Sequence, residues 1–199
     1  MPEPPSFDAS RIVGVTSVAT GPRLFQGAAG AVTPRAVVRV TNLDTQDASV
    51  ATTAGADGSF SIVVPVPAER NELRFEAILN DVRSAPLDLS DETGFAPSER
   101  FECVKLNPGL ALTIPKSGAQ LNIENGCSSP LEISNPRTRL DVPAFPAPAA
   151  EQTLAPAARA SIPFTRSTQA TANAEEILFL DLTLDGRTIR YPISLFLAE

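Results

Sequence analysis

Residues 176–197 read EILFLDLTLDGRTIRYPISLFL. Asp185-Gly186 is a two-residue turn signal of the kind that closes a β-hairpin, because both central positions of a type I′ turn need positive φ. With the turn placed there, Leu184 faces Arg187, Leu182 faces Ile189, Leu180 faces Tyr191 and Leu178 faces Ile193. The last three pairs are apolar and share one face. On the other face Thr183 meets Thr188 and Asp181 meets Arg190, an opposite-charge cross-strand pair. Asp181 therefore needs no catalytic explanation. Pro192 is expected at a bulge or facing a sheet edge, where its missing N–H is not required.

Working outward, period two dominates the chain and helix signals are scarce. The 19 prolines and the many β-branched residues oppose long helices. In the first half strands are expected near 12–19, 36–43, 48–54, 59–66, 72–79 and 83–89. Ala36, Val38 and Val40 alternate with Val37, Arg39 and Thr41, and Leu73, Phe75, Ala77 and Leu79 alternate with Arg74, Glu76 and Ile78. Short strands with turn signals at near-regular intervals indicate an antiparallel sandwich.

The stretch 52–67, TTAGADGSFSIVVPVP, carries an Asp-Gly before Phe60, Ile62 and Val64. As a hairpin it puts Thr52 opposite Phe60 and Val50 opposite Ile62, with Gly55-Ala56-Asp57 as the loop and Gly58 at positive φ. Asp57 is then a turn residue that bonds to nearby N–H groups. A cation site shared with another loop is the alternative. An EF-hand-type loop would need acidic residues at alternate positions, and its neighbours are Ala54, Gly55, Ala56 and Ser59.

The second half opens with Cys103–Ile114, PKSG and Ala119–Asn125, read as a hairpin with Leu110, Leu112 and Ile114 on one arm and Leu121 and Ile123 on the other. That pairing brings Cys103 and Cys127 to similar heights, with a small shift or bulge needed to match them. An even cysteine count without a metal pattern permits one disulfide, Cys103–Cys127, and two free buried thiols are the alternative. The bridge would place the chain in an oxidising compartment. Leu131–Ser134 is a further short strand. Residues 143–160, PAFPAPAAEQTLAPAARA, read either as a Pro-rich recognition segment or as a long loop with one edge strand inside it.

The 199 residues suit one large or two ordinary domains. The expected organisation is a Pro-rich tether over 1–10, a sandwich over 11–91, a polar linker over 92–101 and a second sandwich over 102–199. The fold class is all-β, two tandem Ig-like antiparallel β-sandwiches.

The composition excludes several chemistries. With no His, Ser-His-Asp and Cys-His arrangements are ruled out, and two cysteines alone do not supply a zinc site. The net charge of -7 and the absence of a basic stripe argue against nucleic acid. No apolar run reaches the ~18 residues of a membrane-spanning helix. MPEPPSFDAS lacks the basic start and apolar segment of a secretory signal. Either the protein stays in the cytoplasm, or this sequence is the mature part of an exported one, with any lipid anchor outside it. Asp44, Asp47, Asp57, Glu124, Glu132 and Asp141 are candidates for hydrolytic chemistry only through their acidity, and two of them would have to converge in a pocket. No catalytic, metal or cofactor residue is assigned. Loops near 43–48, 55–58 and 137–157 are the expected binding regions.

Residues 27–90 resemble the bacterial Ig-like repeats of surface proteins and adhesins. The resemblance rests on Gly30, Val32, Pro34, Ala36, Val38, Asp57, Gly58, Phe60, Asn71, Leu73, Ser84 and Pro86. The second half is similar to sandwich domains of the major-sperm-protein and Hydin-like kind, through LNIENGCSSPLEIS (121–134), LAPAARASIPF (154–164) and the final hairpin. These resemblances imply a non-enzymatic module. The leading expectation is a periplasmic or cell-surface protein, such as a lipoprotein ectodomain, that binds envelope proteins or self-assembles. A carbohydrate-binding accessory module, disfavoured by the lack of Trp and the single Tyr, and a scaffold subunit of a cytoplasmic or virion assembly are the alternatives.

Overall fold

A computed structural model describes residues 3–15, 21–67, 71–90, 94–145, 148, 151–165 and 174–197. The protein is all-β, and its only helical piece among these residues is a 3-10 turn at Ala9–Arg11. It divides into two compact units, Met1–Ser98 and Glu99–Glu199.

The first unit contains β1 (Ile12–Val15), β2 (Arg23–Gly27), β3 (Val37–Asn42), β4 (Val50–Thr53), β5 (Phe60–Val64), β6 (Glu72–Leu79), β7 (Val82–Arg83), β8 (Leu87–Ser90) and β9 (Ala96–Pro97). One sheet runs β1-β2-β5 and the other β4-β3-β6-β8-β9, with β7 beside β6. Alternation explains the core. Val38 and Val40 on β3, Phe60, Ile62 and Val64 on β5, and Leu73, Phe75 and Ala77 on β6 all point inward and are buried. Phe75 is the hub, with the rings of Phe25 and Phe7 edge-on to it at 5.5 and 6.3 Å.

Five expectations for this half need correction. First, 52–67 is not a hairpin. The turn itself is tight, with Gly55 N donating to Ser59 O at 2.8 Å. The flanking strands then part: β4 pairs with β3 and β5 with β2, in different sheets. The stretch is an arch between two sheets, and inward apolar side chains satisfy an arch as well as a hairpin. Second, residues 6–8 are not a tether. Asp8 N donates to Ala31 O and Thr33 N to Ser6 O, and Phe7 bridges Val32. Phe7 supplies the apolar anchor that the surrounding prolines hid.

Third, β2 was not anticipated. Its inward positions are only Phe25 and Gly27, too little for a visible alternation. Fourth, much of the expected linker is part of the first unit. Phe95 packs edge-on against Phe25 at 4.9 Å, and β9 pairs with β8. Fifth, the expected strand 83–89 is broken in two: β7 and β8 both pair with β6, but their registers differ by one residue, so the break falls at 84–86. Of the expected strand 12–19, residues 12–15 are β1 and 16–19 lie outside the described residues; so do 91–93 of the linker.

The second unit contains β10 (Val104–Asn107), β11 (Ala111–Ile114), β12 (Ala119–Asn125), β13 (Leu131–Thr138), β14 (Gln152–Leu154), β15 (Arg159–Phe164), β16 (Glu175–Leu184) and β17 (Arg187–Leu197). Its sheets run β10-β12-β15 and β11-β17-β16-β13-β14. The β16–β17 register places Leu182 opposite Ile189, Leu180 opposite Tyr191 and Leu178 opposite Ile193, turning at Asp185-Gly186. Ser194 N donates to Leu110 O, so Pro192 N, two residues earlier, points the same way, to a side where β11 has not yet begun. That is the edge-facing position its missing donor requires.

The expected β11–β12 hairpin is corrected. β10 pairs with β12, while β11 crosses to the opposite sheet and runs parallel to β17, so the unit is not purely antiparallel. Pro108 lacks an N–H and Gly109 takes φ +113, which releases the chain between the two pairings. Among the described residues of 143–160 lie the edge strand β14, paired with β13, and the start of β15.

Candidate functional site

On the outer face of β10-β12-β15, side chains at alternate positions leave the core and reach solvent. Val104 and Leu106 pack inward, so Lys105 and Asn107 face out, and Leu121 and Ile123 pack inward, so Asn122 and Glu124 face out. Across three strands this gives a row Lys105–Glu124–Arg159 and a row Asn107–Asn122–Ser161. Between them lies a shallow groove of about 300 Å³ lined by Lys105, Asn107, Asn122, Ile123, Glu124 and Arg159.

The groove's electrostatics are mixed. Arg159 binds the Glu124 carboxylate through Nε at 3.1 Å and Nη2 at 3.0 Å. Lys105 stands across the sheet from Glu124. Two cations and one carboxylate on this face leave one net positive charge beside the two amides. Ser161 Oγ bonds Gln120 Oε1 at 3.1 Å and continues the polar face. Such a surface hydrogen-bonds a polar ligand. Glu124 is the one carboxylate in its lining, so the converging acid pair of a glycosidase is not assembled here.

The other acidic candidates are spread through the chain. Asp44 Oδ2 accepts from Glu72 N at 2.7 Å and ties the β3–β4 loop to β6. Asp47 N donates to Thr45 Oγ1 in the same loop. Asp57 Oδ1 accepts from Ser59 N at 3.0 Å and Ser59 Oγ at 2.7 Å. The Ser59 backbone N–H, then its hydroxyl, hold the Asp57 carboxyl below its ordinary value, and the turn reading of Asp57 stands. Glu132 faces out from β13, and Asp141 occupies a positive-φ turn after it. Among the described residues no group of three or more His, Cys, Asp or Glu side chains could hold a metal ion.

Charge inside the molecule serves the sheets. Arg74 is fully buried and grips Asp88 with two bonds, Nε to Oδ1 at 2.8 Å and Nη2 to Oδ2 at 2.9 Å. Burial works against its charge, but Asp88, with Glu76 and Glu72, outweighs burial and raises the Arg74 pKa. Arg39 pairs with Glu76 on the same face. In the second unit Asp181 lies opposite Arg190 as expected, yet its carboxylate is also held from β13 by Arg137 at 3.0 Å and Asn135 at 2.7 Å. The Arg190 guanidinium sits over the Phe179 ring at 4.9 Å. Tyr191 is a core residue whose hydroxyl accepts from Phe101 N, and desolvation raises its pKa.

Cys103 and Cys127 form a disulfide, with Cα atoms 5.0 Å apart, one step beyond the Val104–Asn125 pair. Gly126 N donates to Cys103 O, and Asn125 Oδ1 accepts from Cys127 N, so the shift that matches the two cysteines is made at Gly126. The groove residues Lys105, Asn107, Asn122 and Arg159 were not singled out from sequence. Their signal, outward positions at equal heights on three strands, depends on the β10–β12–β15 register. Of the expected binding regions, 43–48 and 55–58 are loops of the first unit, and the described part of 137–157 carries the end of β13 and β14.

No family model and no curated protein matches the sequence. Solved structures of similar shape include a protein of unknown function from Porphyromonas gingivalis W83, 12% identical with a TM-score of 0.40, covering 99% of this chain and 100% of that one. The VesB protease of Vibrio cholerae is 7% identical with a TM-score of 0.42, over 83% of this chain and 62% of that one. The chain thus spans less than two thirds of the protease's length, and neither likeness at this level carries an argument about function.

Proposed function

We propose that this protein is a non-catalytic module of the cell envelope or cell surface, periplasmic or extracellular, that binds a protein partner or builds an assembly through its sandwich surfaces. The observation that carries the reading is the Cys103–Cys127 disulfide, because such bonds persist in oxidising compartments and are rare in the cytosol. The uses of charge lend support. Arg39, Arg74, Arg137 and Arg159 each hold a carboxylate on a neighbouring strand, which is architectural work. The resemblance of residues 27–90 to bacterial Ig-like surface repeats points the same way.

The test is thiol labelling and intact mass under denaturing, non-reducing conditions, on protein recovered from its native host. Two blocked cysteines are expected, and lipid mass on a preceding cysteine would identify a lipoprotein. Two free thiols would overturn the envelope reading and favour the scaffold of a cytoplasmic or virion assembly.

One observation favours a second reading, an accessory carbohydrate-binding module: the groove beside Asn107 and Asn122 presents amides, a cation and a carboxylate suited to sugar hydroxyls. Titration with neutral and acidic oligosaccharides tests it. Binding that disappears in Asn122→Ala and Lys105→Ala supports it, and silence toward every sugar removes it.

A further inference from the structure

Each unit contains a three-stranded antiparallel sheet. This sheet, β1-β2-β5 or β10-β12-β15, ends in each case on an outer strand: β5 in the first unit, β15 in the second. These two edges are built differently. β5 reads Phe60-Ser61-Ile62-Val63-Val64 and the matching part of β15 reads Ala160-Ser161-Ile162-Pro163-Phe164. Phe60, Ile62 and Val64 point into one core, and Ala160, Ile162 and Phe164 into the other.

The direction of the main-chain groups follows from single hydrogen bonds. Gly21 N donates to Val66 O, and 21 and 66 continue the register that places Arg23 opposite Val64 and Phe25 opposite Ile62. Hydrogen-bonded pairs alternate along an antiparallel ladder. Phe60, Ile62 and Val64 therefore bond to β2, and the N–H and C=O groups of Ser61 and Val63 point away, to the edge. Likewise Asn125 N donates to Ala158 O in the β12–β15 register, so Arg159, Ser161 and Pro163 point to the edge of the second unit.

There the second unit is closed by two common devices, a proline without an N–H and a charge. The first unit has no charge there, and its proline, Pro65, comes one edge-facing position later than the match of Pro163, beyond the end of β5. Residues 59–67, SFSIVVPVP, are uncharged, and Val63 is 55% exposed. The open window is short. On one side Ser59 N and O are engaged by Asp57 and Gly55, and on the other Pro65 has no donor and its carbonyl accepts from Asn42.

We infer that the β5 edge of the first unit is a strand-addition site whose occupant is the β5 edge of a second copy of this chain. Antiparallel pairing about a two-fold axis at Ile62 sets Ser61 opposite Val63 of the other copy, and Val63 opposite its Ser61. Each pair exchanges both of its bonds, so the two copies use the whole window and leave no edge group over. No like charges meet, and Val63 gains an apolar neighbour diagonally across the seam. Because the contact is isologous, it closes at two copies. The inference rests on reading the chain as an interaction module, and not on its compartment.

Sedimentation equilibrium of the purified, oxidised full chain from micromolar to millimolar concentration tests it, with Val63→Pro and Val63→Lys alongside. β2 does not use the Val63 N–H, and Pro163 already occupies the matching place in the second unit, so both variants should melt as the parent does. The expected result is a reversible monomer–dimer equilibrium whose dissociation constant rises at least about tenfold in each variant. Should Val63→Pro fail to fold, Val63→Lys decides. A chain monomeric at every concentration, or a dimer indifferent to both changes, would overturn the inference. So would a monomer whose edge captures a different protein in a Val63-dependent manner. Free thiols in the native host would remove the envelope reading and leave this result standing. A monomer here would leave the envelope reading standing.

Discussion

Gly58 has two independent reasons to be glycine. Its φ is +80, and a Cβ there would lie 2.2 Å from Val32 O. Val32 N in turn donates to Gly58 O, so the contact belongs to the seam between the arch and the chain before β3. Gly58→Ala is expected to cost at least about 2 kcal/mol, against about 1 kcal/mol for an unfavourable φ alone, read from urea unfolding. Arg74 and Asp88 form the second residue-scale test. Asp88→Ala leaves the buried guanidinium without its bidentate partner, and a loss of about 3 kcal/mol is expected by the same measurement. A loss below about 1 kcal/mol would mean that the ion pair behaves like a surface one.

Elements were legible to the extent that their partners were close in sequence. The hairpin of β16 and β17 could be read to the residue, because Asp185-Gly186 fixes the turn and the turn fixes the register. Period two also located β3, β5 and β6 and told which of their side chains face inward. It does not tell which sheet a strand joins. The β4–β5 arch and the β10–β11 crossover each looked like part of a hairpin for that reason, since inward apolar residues suit either path. The outer groove was hidden by the same limit: Lys105, Glu124 and Arg159 come together only through the pairing of β12 with both β10 and β15. Glu176, near the start of β16, shows another distant tie. Its carboxylate is 3% exposed as a residue and accepts from Leu140 N at 3.1 Å, Val142 N at 3.0 Å and Ile177 N at 2.8 Å. Glu176→Ala should free the first two donors and loosen the chain that leaves β13. Faster amide exchange at Leu140 and Val142, with β17 unchanged, is the expected outcome.

At the scale of the whole molecule, each unit pairs a three-stranded sheet with a larger one, and the two differ in how each is secured. The first carries the Phe7–Phe25–Phe75–Phe95 cluster and the second carries the covalent bridge. Replacing Cys103 and Cys127 together by Ser is expected to lower stability by about 3 kcal/mol in the chain-entropy model. Hydrogen exchange should report the loss within 99–199 and leave 5–98 as before.

The position of that bridge also determines how the second unit meets a mechanical pull. Tension entering at Glu99 reaches Cys103 first and passes through a covalent bond to Cys127, on the far side of β12. β10, β11 and β12 then lie off the line of force. The sequence separation of 24 residues corresponds to about 80 Å of extended chain that cannot be drawn out while the bond is intact. Under load from its N-terminal side the unit behaves as a shorter chain that begins at Cys127, and reduction of one bond lengthens it.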